Sequence, residues 1–219
     1  EEDNLSITET IKINSFFPME LQKYSKTNDI YYFQIGTDCV FSGKKGNYLE
    51  DDFLDADDLY GKSKIVGEIP AENKMIIRSS IIGPESGDGR SLLNWFIRNN
   101  SKEVSGFKNH LWNGVTTLNF SKVVGGIINN DNYNFNLQHL IPANSVNKAE
   151  LLKQIKNNFE KEIKINEINA ANLINRTLKT HSKEINEQLW LQAGYENIPT
   201  VQDNIRELAD SKYTELILD

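Results

Sequence analysis

The chain has 219 residues, 38% of them hydrophobic, with 13 glycines and 5 prolines, which suits one globular domain or a domain with a small appended lobe. Its net charge is −7, and acids and bases are interspersed without a basic stripe, so we expect no nucleic-acid partner. No apolar run approaches the ~20 residues that cross a bilayer, so we expect no membrane partner, and the single cysteine, Cys39, fits a reducing cytoplasm.

The first predicted element is a helix over residues 5–27, because apolar residues recur there at helical spacing. Pro18 predicts an irregularity within this helix, since proline lacks the backbone N–H that a helix interior uses. A buried strand follows over residues 29–36, and its apolar run stops at Thr37. In open α/β sheets, ligands bind beyond the carboxyl ends of strands, so the Thr37 hydroxyl is predicted to face a ligand crevice.

A second feature lies within residues 55–68, which are predicted to be partly helical. Tyr60 and Lys64 are four residues apart and therefore project from one helix face. A free phenol has a pKa of about 10, and a nearby ammonium favours the phenolate, so Tyr60 is a candidate proton donor or acceptor. Because this spacing also arises by chance, a solvated helix face with a partly buried ring is the alternative.

Both features together resemble a known family. Gly-Thr-Asp-Cys-Val-Phe-Ser-Gly at 36–43, followed by Asp-Leu-Tyr-Gly-Lys-Ser-Lys at 58–64, resembles the extended short-chain dehydrogenase/reductases, and among them the dTDP-4-dehydrorhamnose reductase-like nucleotide-sugar reductases. The resemblance implies that the catalytic trio is Thr37, Tyr60 and Lys64. It also implies an α/β fold: the carboxyl-terminal part of a Rossmann-type doubly wound parallel sheet, with a small α/β substrate-binding lobe.

The resemblance further implies a domain division. Residues 1–83 are expected to form the remaining half of the NAD(P)-binding domain, and residues 84–219 mostly the substrate-binding lobe, with about 106–138 returning to the Rossmann sheet. The chain starts without methionine, and no Gly-x-Gly-x-x-Gly fingerprint follows a strand. We therefore expect the first mononucleotide-binding half to be missing and the 219-residue chain alone to be inactive. A natural short relative that binds no dinucleotide is the alternative.

The cofactor implied by the resemblance is NADP(H) or NAD(H). Its candidate contacts are Tyr60, Lys64, Arg78, Ser79, Ser80 and Asn14. Arg78 to Ser80 lie on a predicted strand over 74–83 and resemble the Arg-Thr/Ser-Ser sequence that approaches the nicotinamide in relatives. A structural ion pair is the alternative for Arg78, because a buried arginine needs a partner. Asn14 falls where relatives have an asparagine that orders the site, and an ordinary polar helix residue is the alternative.

The candidate substrate contacts are Asp38, Cys39, Val40, Phe41, Trp95, Lys108, Asn109 and Arg176. The resemblance implies that a Gly-rich loop over 84–90 closes over the substrate. For Trp95, packing in the hydrophobic core is the alternative to substrate contact. Nucleotide-sugar 4,6-dehydratases follow the threonine with Asp and Glu, whereas Cys39 stands where the Glu would be. A thiol is a weak acid, with a pKa of about 8.5, so reduction or epimerisation is favoured over dehydration.

The preferred function is NAD(P)H-dependent reduction of a 4-keto group on a nucleotide-activated sugar, in cell-surface polysaccharide synthesis. Two alternatives stay open: a nucleotide-sugar epimerase of the same superfamily, and a non-catalytic nucleotide-sugar-binding or regulatory relative. The three histidines show no metal-ligand spacing, so no metal site is predicted. The sequence leaves open the sugar, the nucleotide base, the choice of NADH or NADPH, and whether the protein is a homodimer.

Overall fold

The computed structural model describes residues 4–85, 91–131, 133 and 135–212. The helices are α1 (Asn4–Ile11), α2 (Phe17–Asn28), α3 (Leu59–Gly67), α4 (Leu92–Arg98), α5 (Thr117–Asn129), α6 (Lys148–Asn158), α7 (Lys183–Gln192) and α8 (Val201–Ala209). The strands are β1 (Tyr32–Gly36), β2 (Lys74–Arg78), β3 (Ile81–Ile82), β4 (Glu103–Phe107), β5 (His110–Trp112), β6 (Val115–Thr116), β7 (Leu137–His139), β8 (Val146–Asn147), β9 (Lys164–Ile168) and β10 (Ile174–Asn175). Residues 86–90 of the predicted Gly-rich loop lie outside the described residues.

The main sheet has three parallel strands in the order β1-β2-β7. Strand β2 is buried along its whole length. Met75 and Ile77 pack into a core that contains side chains of α5 and α7. Lys74 and Arg78 point to the opposite face, because their side chains bind the carboxyl end of α3 and the residues just after it. Helices therefore cover both faces, and the predicted α/β fold with a doubly wound parallel sheet is confirmed.

The predicted first helix is divided into three parts. A π-helical turn, Lys12–Phe16, separates α1 from α2 and is closed by a hydrogen bond from the Phe17 N–H to the Lys12 carbonyl. Pro18 has no N–H to donate to the Asn14 carbonyl, which would be its acceptor in a regular α-helix. The irregularity thus lies in the turn before Pro18, and the proline itself sits at the start of α2.

The strand predicted over 74–83 is two strands in two sheets. Strand β2 ends at Arg78, whereas β3 pairs with β6 in a separate parallel pair. The two residues between them bind other segments: the Ser79 hydroxyl donates to the Leu140 carbonyl at 2.9 Å, and the Ser80 carbonyl accepts from the Val115 N–H at 2.9 Å. The chain therefore leaves the main sheet at Ser79.

A second group of strands lies outside the main sheet. Strand β4 pairs in parallel with β9, and β5 lies between β10 and the antiparallel β8. Their core is completed by α4, α6 and α8, whose buried apolar residues form one cluster: Leu93, Phe96, Ile97, Leu151, Leu152, Ile155, Val201, Ile205 and Leu208. The division at residues 83 and 84 stays a prediction.

The return of about 106–138 to the main sheet stays a prediction. Strand β7 pairs with β2, and α5 contributes Phe120, Val123 and Ile127 to the core beside it. Strands β5 and β6 instead pair outside the main sheet, because their partners are β8, β10 and β3. Within the described ranges, no helix has the length and apolar character needed to cross a membrane.

Candidate active site

The site lies where β1 ends and α3 begins. Asp58 caps α3, its carboxylate accepting the Gly61 N–H at 2.7 Å. Gly61 lets the helix approach the turn after β1, because a Cβ there would lie 2.3 Å from the Cys39 carbonyl oxygen. This approach places Tyr60 beside Thr37, the residue that follows β1.

Thr37 and Tyr60 are thereby brought together as the sequence predicted. The Thr37 oxygen accepts the Cys39 N–H at 3.2 Å and caps the short 3₁₀ turn Asp38–Val40. The Thr37 hydroxyl also lies 3.4 Å from an Asp38 carboxylate oxygen and interacts with the Tyr60 phenol. The Tyr60 side chain stays reachable, since the residue is 47% exposed.

The acidity of Tyr60 differs from the expectation. Burial raises the pKa of the Tyr60 phenol, and the nearby Cys39, Asp38 and Asp58 raise it further, while the Thr37 hydroxyl opposes them. The spacing to Lys64 predicted a lowered pKa for Tyr60, and that expectation was wrong because burial and the neighbouring acidic groups raise the pKa instead. The phenol is therefore protonated at neutral pH.

Lys64 extends from α3 towards the end of β1. Its ammonium donates to the Ile35 carbonyl at 2.9 Å. Burial lowers the pKa of Lys64, while the Glu68 carboxylate raises it. An ammonium has three N–H donors, so two of them have no partner among the described residues and can serve a ligand at this point of the site.

Asp38 is buried beside the trio, and Cys39 is half-buried. Burial raises the pKa of Asp38, while Arg176, Lys148 and the Ser80 hydroxyl lower it. Burial and the Asp38 carboxylate raise the pKa of the Cys39 thiol, which is therefore protonated at neutral pH. This agrees with the prediction that Cys39 is a poor base.

The Arg78 guanidinium is bound by other residues of the protein. Its Nε donates to Glu68 at 2.7 Å, and both side chains are buried. Its NH1 donates to the Glu50 carbonyl at 3.2 Å and lies 3.4 Å from the ring of His139. The structure thus shows the ion pair that was the alternative for Arg78.

The other candidate cofactor contacts also have partners in the protein. The Ser79 hydroxyl donates to the Leu140 carbonyl, and the Ser80 hydroxyl accepts the Trp112 indole N–H at 2.7 Å. The Asn14 amide donates to the Ser63 hydroxyl at 3.1 Å, one residue before Lys64. Asn14 therefore holds α3 in place, and its contact with a cofactor stays a prediction.

Three other candidate substrate contacts have side chains that pack or hydrogen-bond within the protein. Val40 and Phe41 are fully buried in a cluster with Tyr48 and Leu178, so their side chains serve packing. The Asn109 amide donates to the Ala170 carbonyl at 2.9 Å and so joins two loops.

Arg176 lies beside the trio, where its Nε donates to the Phe41 carbonyl at 2.9 Å. Two further candidates, Lys108 and Trp95, lie on the lobe outside the main sheet. Lys108 is exposed and follows β4, where its backbone N–H donates to the Ile168 carbonyl at 2.9 Å. Trp95 is on α4 and is 43% exposed. Substrate contact by Trp95, Lys108 and Asn109 stays a prediction.

Lys148 is a site residue that the sequence analysis missed. It is the first residue of α6, and its ammonium lies 5.4 Å from the centre of the Trp112 ring and acts on Asp38. A signal was present in the sequence, because a cation in the first turn of a helix opposes the helix dipole. Its partner Asp38 is 110 positions earlier, so sequence spacing gave no indication of the contact.

Comparisons with known proteins show the family and the fold of the chain. The family described as RmlD substrate binding domain matches residues 2–213. A dTDP-4-dehydrorhamnose reductase from Clostridium acetobutylicum is 21% identical, with 93% of this chain and 74% of that chain covered and a TM-score of 0.73. A dTDP-4-dehydrorhamnose reductase from Bacillus anthracis, solved with NADP, is 18% identical, with 89% of this chain and 70% of that chain covered and a TM-score of 0.71. A dTDP-glucose 4,6-dehydratase from Bacillus anthracis, solved with NAD, is 16% identical, with 94% of this chain and 68% of that chain covered and a TM-score of 0.69.

These identities show a shared fold. No curated protein matches the chain in sequence.

Proposed function

Because the chain belongs to the RmlD substrate binding domain family, we propose that it forms part of an NAD(P)H-dependent reductase acting on the 4-keto group of a nucleotide-activated sugar. The observation that carries the proposal is the meeting of Thr37 and Tyr60 at the carboxyl end of β1, with Lys64 one turn along α3. The product would serve cell-surface polysaccharide synthesis. Solved neighbours with NADP or NAD support a nicotinamide cofactor.

The residues present fit one end of that cofactor. Two N–H groups of Lys64 have no partner among the described residues and suit ribose hydroxyls, and the exposed part of Tyr60 lies beside them on the same helix face. When bound, the reduced nicotinamide supplies a hydride to the ketone carbon. This assignment covers the nicotinamide ribose only.

The chain's own residues handle the proton. Tyr60 would donate its phenolic proton to the carbonyl oxygen as the hydride adds to carbon, which turns the ketone into an alcohol. Thr37 would donate a hydrogen bond to the same oxygen and stabilise its developing charge. A raised pKa suits this direction, because the phenol then carries the proton that the reduction consumes.

Cys39 favours reduction over elimination of water. Its thiol has a raised pKa and is protonated at neutral pH, so it is a poor base for removing a sugar proton. A dehydratase shares this fold, and the identity of residue 39 is the feature that argues against that chemistry here.

The proposal is tested with the protein at its native length, NADPH deuterated on the transferred position, and keto-sugar nucleotides carrying thymidine or uridine. We expect NADPH oxidation in proportion to product, with deuterium at carbon 4 of the sugar. Epimerisation without net NADPH oxidation would support the epimerase instead. Binding of the sugar nucleotide without either reaction would support a non-catalytic relative.

A further inference from the structure

One face of the main sheet carries a row of buried polar side chains beneath the carboxyl end of α3. Strands β1 and β2 pair in parallel, with Tyr32 beside Lys74 and Gly36 beside Arg78. Side chains two positions apart on a strand point to the same face, so Gln34 lies in this row, between the level of Lys74 and the level of Arg78. These three polar side chains are all buried.

Glu68 reaches one end of the row from the position that follows α3. Its Oε2 accepts the Arg78 Nε–H at 2.7 Å. Its Oε1 lies over β1, because a Cβ at Gly36 would be 3.0 Å from that oxygen. This second oxygen is buried and has no hydrogen-bond partner among the described residues. One acceptor is therefore left over at this end of the row.

Lys74 lies at the other end of the row. Its ammonium donates to the Gly67 carbonyl at 3.1 Å and to the Ile69 carbonyl at 2.9 Å, and it lies 5.7 Å from the centre of the Tyr32 ring. An ammonium has three N–H donors, so one of them has no hydrogen-bond partner among the described residues. Burial lowers the pKa of Lys74 to about 8, and the Glu68 carboxylate opposes this shift, so Lys74 is mostly charged at neutral pH.

Gln34 lies between these two ends with its side-chain amide unpaired. The residue is 5% exposed, and neither its Oε1 nor its Nε2 has a partner in the part of the chain that the structure describes. Gln138 on β7 is also buried, but its amide donates to the His139 carbonyl at 2.9 Å and to the Thr180 hydroxyl at 2.8 Å. Because a buried amide without partners is unfavourable, Gln34 requires a bound group to complete its hydrogen bonds.

The unpaired atoms determine the chemistry of that group. They include acceptors, on Glu68 and Gln34, and donors, on Gln34 and Lys74. A cation would lie beside the positive charges of Lys74 and Arg78, and an anion would meet the Glu68 carboxylate. Water donates, accepts and carries no charge, so it is the ligand that these atoms fit.

We propose that an ordered water molecule is bound in this row, where it accepts an N–H of Gln34 and donates to Oε1 of Glu68, with Lys74 on its other side. Buried waters typically make about three hydrogen bonds, and these three side chains can supply them. Because Glu68 directly follows α3, the water ties β1 to the end of the helix that carries Tyr60 and Lys64. This inference does not depend on the proposed reaction.

Nuclear magnetic resonance of the ¹⁵N-labelled protein at its native length tests the site directly. We expect a rotating-frame cross-peak between the Gln34 side-chain amide protons and water, with the sign opposite to the diagonal, because that sign separates a dipolar contact from proton exchange. The Gln138 amide is the matched control and should show no such cross-peak, since protein atoms bind it. Absence of the cross-peak at Gln34 would overturn the inference.

Urea unfolding of Gln34→Met gives a second test, in which the sign of the change decides. A hydrated Gln34 amide makes hydrogen bonds that methionine cannot make, so the equilibrium constant for unfolding should rise by about 5- to 30-fold. Gln138→Met should show a rise of similar size. An unpaired Gln34 amide would instead be a burden on the folded state, and methionine would then lower the constant.

Gln188→Met is the exposed control on α7 and should leave the constant within about twofold of the wild type. A constant for Gln34→Met equal to or below that of the wild type would contradict the bound water. If Gln34→Met does not fold, the cross-peak in the wild type decides alone.

Discussion

Tyr60 illustrates how burial sets the chemistry of a single residue. Its spacing to Lys64 predicted a proton donor or acceptor with a lowered pKa, but the phenol is partly buried next to Asp38 and Cys39, and its pKa is raised. The Lys64 ammonium donates to the Ile35 carbonyl. The Tyr60 phenol therefore keeps its proton at neutral pH, which is the state that the proposed ketone reduction requires.

His139 is a buried residue whose charge state is fixed by its surroundings. Its Nδ1 lies 2.7 Å from the Lys179 carbonyl, which can only accept, so Nδ1 carries the proton. Its Nε2 faces Arg78 at 3.4 Å, and its backbone N–H donates to the Glu50 carboxylate. Burial and Arg78 lower the pKa of His139 to about 4, while Glu50 and the Lys179 carbonyl oppose them.

This lowered pKa predicts a pH-dependent stability. The unfolded chain binds a proton at His139 below pH 6.5, whereas the folded chain does so only below about 4. The contribution of His139 to stability is therefore present above pH 6.5 and is lost as the pH falls. Urea unfolding measures the free energy of unfolding at each pH. From pH 7 to pH 5, this free energy should fall by about 2 kcal/mol more in the wild type than in His139→Gln.

His181→Gln is the control of opposite sign for this measurement. The Asp51 carboxylate, 2.7 Å from the His181 ring, raises the pKa of His181, so its contribution is present at low pH and lost as the pH rises. Replacing His181 by glutamine should therefore make the fall in the free energy of unfolding between pH 7 and pH 5 larger than in the wild type. Identical pH slopes for the wild type and His139→Gln would contradict the assignment.

At the scale of elements, α3 is held by a close contact with the π-helical turn. The Ser15 hydroxyl donates to the Ser63 carbonyl at 2.8 Å, and Asn14 reaches the Ser63 hydroxyl. A Cβ at Gly67 would lie 2.0 Å from the Asn14 carbonyl oxygen. Pro18 leaves that carbonyl without its α-helical donor, so the turn and the glycine together allow the two segments to touch.

We predict that Gly67→Ala destabilises the protein by about 1–3 kcal/mol, because the backbone must move to relieve the overlap. Gly125→Ala is the matched control, since Gly125 lies in α5 and a Cβ there has no atom within 4 Å among the described residues. That variant should gain about 1 kcal/mol from helix propensity. Chemical unfolding of both variants measures the difference, and equal effects would contradict the contact.

At the scale of the whole molecule, local pattern predicted the strand that ends at Thr37 and the shared helix face of Tyr60 and Lys64, whereas their catalytic roles were implied by the family resemblance. Thr37, Tyr60 and Lys64 were found because a strand end and an i, i+4 pair are visible within 28 residues. The break between β2 and β3 was missed, because Ser79 and Ser80 bind the distant Leu140 and Val115.

The position of Lys148 near Asp38 was also beyond sequence reasoning. Asp38, Lys148 and Arg176 are spread over 138 residues and meet only through the pairing of β5 with β8 and β10. Long-range pairing of short strands leaves no periodic signal in the sequence. The domain division and the inactivity of the 219-residue chain alone stay predictions.

The proposed reduction of the keto group depends most on the proton carried by Tyr60. In the protein at its native length, Tyr60→Phe should lower kcat for the keto-sugar nucleotide by about 10²- to 10⁴-fold, while the affinity for the nucleotide-sugar product stays unchanged. Lys62→Ala, an exposed change on the same helix, should leave kcat as it is. Full activity of Tyr60→Phe would contradict the account.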